Sequence, residues 1–114
     1  MRIAPAALLT ALFATAAHAE DPIKVFILAG PSNMEGKAPV AVLDHQINAE
    51  DTKEMFAHLH KDGVYIVRDD VFIDYLGRRG GLTVGYGSRD RIGVELEFGN
   101  TMGDHFDEPV LLVK

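Results

Sequence analysis

The chain has 114 residues, no cysteine and a formal net charge of −6. An acidic balance excludes the basic surface that nucleic-acid binding needs to neutralise phosphates, so no nucleic-acid partner is expected. The absence of cysteine excludes a disulfide-stapled scaffold and leaves the hydrophobic core to hold the fold.

Residues 1–19 have the layout of a secretory signal peptide. Arg2 supplies a positive start, 3–17 is apolar apart from Thr10 and Thr15, and Ala17-His18-Ala19 is a small-x-small cleavage site. The apolar stretch is shorter than the roughly 20 residues a spanning helix needs. The expectation is a secreted or periplasmic protein with no membrane association after cleavage. Removing residues 1–19 leaves 95 residues and takes away one positive charge, Arg2, so the net charge goes from −6 to −7.

The first predicted element is a strand over 24–29, Lys24 followed by the apolar run Val25 to Ala29 and bounded by Gly30-Pro31. Such a run reads as a strand buried inside a parallel sheet. Residues 30–47 read as a loop, punctuated by Pro31, Gly36 and Pro39. A helix is predicted from about Asn48, with Glu50 and Asp51 in its first turn, an apolar face of Met55, Phe56 and Leu59, and an end at His60-Lys61-Asp62-Gly63. Residues 64–67 and 71–76 are rich in β-branched and aromatic side chains and read as strands. Arg78-Arg79-Gly80-Gly81 reads as a turn, and 82–87 as a short strand or an ordered loop. The six glycines between Gly77 and Gly93 read as a surface excursion.

A second helix is predicted over 95–106, with Leu96, Gly99, Met102, Gly103 and Phe106 on one face. Its two glycines each cost about 1 kcal/mol relative to alanine, and close packing of the helix backbone on a sheet would offset that. After Glu108-Pro109, residues 110–113 form another buried apolar strand. Strand, insertion, helix, strand is a βαβ crossover with parallel pairing. Parallel sheets need both faces covered, so 20–114 reads as the N-terminal portion of a larger α/β domain that folds poorly alone.

A serine on the turn leaving a buried strand stands at the carboxyl edge of the sheet, where open α/β sheets hold ligands. Two chemistries fit the turn. The first is a phosphate-binding loop. Gly30 to Lys37 has the glycines and the lysine, but its interval is one residue too long. Ala38 stands where a magnesium-binding hydroxyl belongs, and Glu35 would face the phosphates. The second is a nucleophile at Ser32, with its own backbone N–H as an oxyanion donor. The structural alternative is that Ser32 and Asn33 simply cap a turn.

The stretch Val25-Phe26-Ile27-Leu28-Ala29-Gly30-Pro31-Ser32-Asn33-Met34-Glu35-Gly36 resembles the first motif block of the SGNH hydrolases. Within them it is most similar to the sialate O-acetylesterase group, which includes acetylxylan esterases. Gly93-Val94-Glu95-Leu96-Glu97-Phe98-Gly99 resembles a second segment of that group, and Asp104 to Lys114 the helix-to-strand passage after it. The resemblance implies a flavodoxin-like three-layer α/β sandwich and a carbohydrate-directed carboxylesterase that removes acetyl groups without metal or organic cofactor. It implies Ser32 as nucleophile and oxyanion donor, Gly30, Asn33 and Met34 as the presenting turn, and Glu95 near the pocket. Glu95 reads equally as a carboxylate at a helix N-terminus.

Two departures stand out. Pro31 replaces the group's usual glutamine and brings neither an N–H nor a side-chain amide. The remaining oxyanion donors and the D-x-x-H segment of the family lie beyond the region of resemblance. No aspartate here has a histidine three residues later. His58 and His60 are two apart on the predicted helix and so do not share a face. His45 sits in a loop, and His105 lies in the second helix. A serine without a base is a weak nucleophile, so this chain by itself is expected to be inactive, and a non-catalytic carbohydrate-binding fragment is the alternative reading.

Overall fold

The computed structural model describes residues 21–114; the signal-peptide expectation over 1–19 lies outside the described residues. The architecture is mixed α/β with a mostly parallel sheet. Its strands are β1 (Lys24–Ile27), β4 (Val71–Tyr75), β5 (Arg78–Gly81) and β6 (Val110–Val113), in the spatial order β1-β6-β4-β5. β6 lies between β1 and β4 and is parallel to both, while β5 returns antiparallel at the edge. A small hairpin of β2 (His60–Lys61) and β3 (Val64–Tyr65) stands apart. The helices are α1 (Ser32–Glu35), α2 (Val40–Gln46), α3 (Lys53–Phe56) and α4 (Glu95–His105), with short 3₁₀ turns at Ala57–Leu59 and Ser88–Asp90.

The predicted βαβ frame is present, and β4 enlarges it. The strands next to each other through α4 are β4 and β6, with Val71 opposite Val110 and Ile73 opposite Leu112. Val71, Ile73, Val110 and Leu112 are buried, and with Tyr75 and Leu82 they form the main core cluster. Each contributes about 1.5–3 kcal/mol by leaving water. Packed against them is α4, brought close by Gly99: a Cβ there would run into Leu82 and Leu112. The helix glycines do serve close packing. A second cluster joins Leu43 of α2, Leu59 and Leu96.

On the strands' opposite face, Val25 and Ile27 of β1, Phe72 of β4 and Val113 of β6 are exposed. Among the described residues only α4 packs broadly on the sheet, so two layers are present and the expected third is not.

Several expectations are corrected. Residues 30–47 are not a loop. Pro39, with its extended φ −63° and ψ 142°, starts α2, as proline's fixed φ allows at a helix entrance. His45 therefore lies in a helix. The helix expected from Asn48 to His60 shrinks to α3 and a 3₁₀ turn, because Asp62-Gly63 is a hairpin turn rather than a helix stop. Both residues have positive φ (53° and 76°), as a type I′ turn requires. His58 consequently lies on the 3₁₀ turn and His60 on a strand. The turn after β4 comes at Leu76-Gly77, φ 47° and 79°, and Arg78-Arg79-Gly80-Gly81 is strand β5. The glycine-rich excursion is not all surface, since Leu82 is 1% exposed.

Candidate functional site

Ser32 leaves β1 where a sheet of this kind offers its ligand-binding edge. Leu28 still pairs with β6, its N–H donating to the Val113 carbonyl at 2.8 Å. The chain then turns through Gly30 and Pro31 into the single turn of α1, which Ser32 opens. The Glu35 N–H donates to the Pro31 carbonyl at 3.0 Å, and the Gly36 N–H to the Ser32 carbonyl at 3.1 Å. The first amides of one helical turn have no intrahelical acceptor, so the backbone N–H of Ser32 is available to a ligand oxygen. Gly30, Ser32 and Asn33 are exposed, and Met34 is half-buried beneath them.

The two sequence blocks meet in space. Gly36 is buried at φ +89°, a conformation suited to glycine. A Cβ on it would lie 2.7 Å from the Gly93 Cα and 2.7 Å from the Ile92 carbonyl oxygen. Ala38 and Ile92 exchange backbone hydrogen bonds at 3.2 and 2.9 Å, and the Ser88 N–H donates to the Gly36 carbonyl at 3.0 Å. The segment around Gly93 is therefore the wall against which the Ser32 turn rests.

Ser32 stands on the divide between two clefts. One, about 320 Å³, runs over the sheet edge between Leu28, Pro31, Tyr75 and Lys114. The other, about 560 Å³, lies between Asn33, Lys37, Gly93 and Val94. Ile92 and Gly93 also border a more apolar cavity of about 340 Å³ behind, walled by Leu43, Phe56, Leu59 and Leu96. Glu35, at the end of α1, pairs with Lys37 at 2.7 Å, and the Lys37 hydrogen bond holds its carboxyl below the usual carboxylate range.

Glu95 opens α4 and is fully buried, beneath the Ser32 turn rather than in the open cleft. One carboxylate oxygen accepts from the Gly93 N–H at 3.0 Å, and the other from Lys114 Nζ at 3.0 Å. Lys114 also donates to the carbonyls of Glu35 (2.9 Å) and Tyr86 (2.6 Å).

Sequence reasoning did not single out Lys114, Tyr75 or Tyr86. The available signal was a lysine directly after an apolar strand, at the same sheet edge as Ser32. The histidines do not join the site. His58 pairs with Glu97 at 2.8 Å, His105 packs edge-on against Phe106, and among the described residues neither hydrogen-bonds to Ser32. No helix among the described residues is long and apolar enough to cross a membrane.

No protein-family model, curated protein or solved structure matches this chain. The functional reading therefore rests on the geometry at Ser32 and on the motif resemblance.

Proposed function

We propose that the chain is part of a serine carboxylesterase of SGNH type that deacetylates carbohydrates, with Ser32 as its nucleophile. The observation that carries this reading is the meeting of two distant stretches. The Ser32 turn is seated on the Gly93–Glu95 segment, so both resemblances fall on one site at one sheet edge.

The Ser32 hydroxyl attacks the acetyl carbonyl, and the Ser32 N–H helps hold the developing oxyanion. The sugar oxygen leaves with a proton, an acyl-enzyme forms, and water releases acetate and regenerates the hydroxyl. In the resembled family a histidine takes the serine proton; among the described residues His58 is instead paired with Glu97. Clefts on both sides of Ser32 support this reading, since an ester substrate has an acyl and an alcohol side to accommodate.

A non-catalytic carbohydrate-binding role is favoured by one specific feature. Pro31 faces the cleft beside Ser32 without the donor amide of the resembled motif. The two readings part on one experiment, hydrolysis of p-nitrophenyl acetate by the full-length protein. On the esterase reading Ser32→Ala loses at least about 100-fold in kcat/KM, the order expected for removal of a nucleophile. Unchanged turnover in Ser32→Ala removes Ser32 from the mechanism, and retained binding of acetylated sugar without turnover selects the binding role.

A further inference from the structure

We propose, resting on the esterase reading of Ser32, that Lys114 and Glu95 are a positioning pair that sets the Ser32 turn on the sheet edge and takes no part in binding substrate. The Lys114 side chain is 2% exposed and that of Glu95 is 0% exposed. Lys114 follows β6 directly, and its backbone N–H continues the sheet by donating to the Asp74 carbonyl at 3.0 Å. Its side chain therefore departs from a position hydrogen-bonded into the sheet.

A lysine ammonium has three N–H donors. All three are used: on the Glu35 carbonyl that closes α1, on the Tyr86 carbonyl of the facing loop, and on Glu95. Beneath the ammonium lies the Tyr75 ring, its centroid 4.3 Å away. Although Lys114 borders the same cleft as Ser32, it has no donor left for a ligand. Its role is to join the cleft's walls.

Glu95 completes the circuit. Its second oxygen holds the Gly93 N–H, and Gly93 is the surface on which Gly36 rests. The turn bearing Ser32 is thus gripped at its end twice, through the Glu35 carbonyl and through Gly36, and both grips lead to the same ion pair. An apolar pair of similar volume is often neutral or stabilising relative to a buried ion pair. Such a pair would leave the Glu35 and Tyr86 carbonyls without their donor. The cation is suited to drawing the carbonyl that ends α1 and a loop carbonyl to one point, which is positioning rather than bulk stability.

The test uses the full-length protein carrying Lys114→Met, and the double variant Glu95→Gln/Lys114→Met, which leaves no lone buried charge and so guards against simple unfolding. Two readouts are taken: p-nitrophenyl acetate hydrolysis, and hydrogen exchange at the amides of Glu35, Gly36 and Ser88 with those of β4 as an internal control. In the double variant we expect kcat to fall at least tenfold with KM within about twofold. We also expect exchange to accelerate at Glu35, Gly36 and Ser88 while β4 stays protected.

A double variant with native kcat and native exchange at these amides overturns the proposal. So does a rise in KM at constant kcat, which would make Lys114 a substrate-binding group. If Ser32→Ala leaves turnover unchanged, the esterase reading fails and the exchange readout alone decides whether the pair positions the turn. Native protection at the three amides then overturns the positioning claim as well.

Discussion

The two ends of α4 are both tied to the sheet by a cation, in opposite surroundings. At the amino end Glu95 meets Lys114, and neither side chain reaches solvent. At the carboxyl end Arg68, just before β4, donates to both oxygens of Asp70 at 2.8 Å, to Asp104 at 2.7 Å and to the Asn100 side chain at 3.2 Å. Its carboxylate partners there are open to water, Asp70 at 45% and Asp104 at 71% exposed, while Asn100 is buried. The same device is used twice, as a buried junction under the Ser32 turn and as a solvated clamp at the opposite edge. Burial decides how much each can be weakened. A half-broken buried pair leaves a charge that water cannot reach, whereas a half-broken surface pair is rehydrated.

The largest effect should come from breaking the buried end alone. Lys114→Met strands the Glu95 carboxylate and should lower stability by about 3–5 kcal/mol in urea or thermal unfolding, with Glu95→Gln/Lys114→Met recovering a substantial part. Equal losses in the single and double variants would show that the two ends of α4 do not differ as described. The middle of the helix comes next. Gly99→Ala places a methyl group against Leu82 and Leu112 and should cost about 1–3 kcal/mol by overpacking, even though alanine is the better helix former.

Arg68→Ala should cost about 1–2 kcal/mol at neutral pH, because its carboxylate partners regain water. This loss should depend on acidity. Chiefly through its hydrogen bond, Arg68 holds the Asp70 carboxyl below the ordinary carboxylate range. A depressed folded value stabilises the fold above the unfolded value, near 3.9. That contribution disappears as pH falls through the folded value. The gap between wild type and Arg68→Ala should therefore narrow below about pH 4, and a gap that widens there would refute the assignment. The smallest effect belongs to Asp104→Asn, below about 1 kcal/mol and further reduced by salt, since Asp104 is largely exposed.

The parts of the fold that could be read along the chain are those with local signals. The apolar runs at 24–29 and 110–113 became β1 and β6, and 71–76 became β4. The glycines of 95–106 forecast a helix packed tightly on a sheet. The errors came where a local signal had two meanings. Asp62-Gly63 and Leu76-Gly77 are hairpin turns, but the first also resembles a helix stop and the second was hidden by the Arg-Gly pairs after it. Arg78 to Gly81 has little β propensity and is a strand because β4 offers it hydrogen-bond partners. Pro39 carries the same local signal as a loop proline and is the entrance to α2.

The chain's own order of residues determined which segment carries the serine, that it follows an apolar strand, and that a helix beginning at Glu95 and a final apolar strand accompany it. Each of these depends on neighbours a few residues away. That the first strand lies at the sheet's edge with Val25 and Ile27 exposed, rather than buried as expected, was decided by the pairing order. Tertiary structure alone decided that β6 lies between β1 and β4, that Gly36 rests on Gly93, and that Lys114 lies buried between Glu95, Glu35 and Tyr86. Contacts between residues so far apart leave no periodicity or spacing to read. They form because the sheet brings its carboxyl edge together, and because a buried carboxylate, two loop carbonyls and an ammonium can satisfy one another only there.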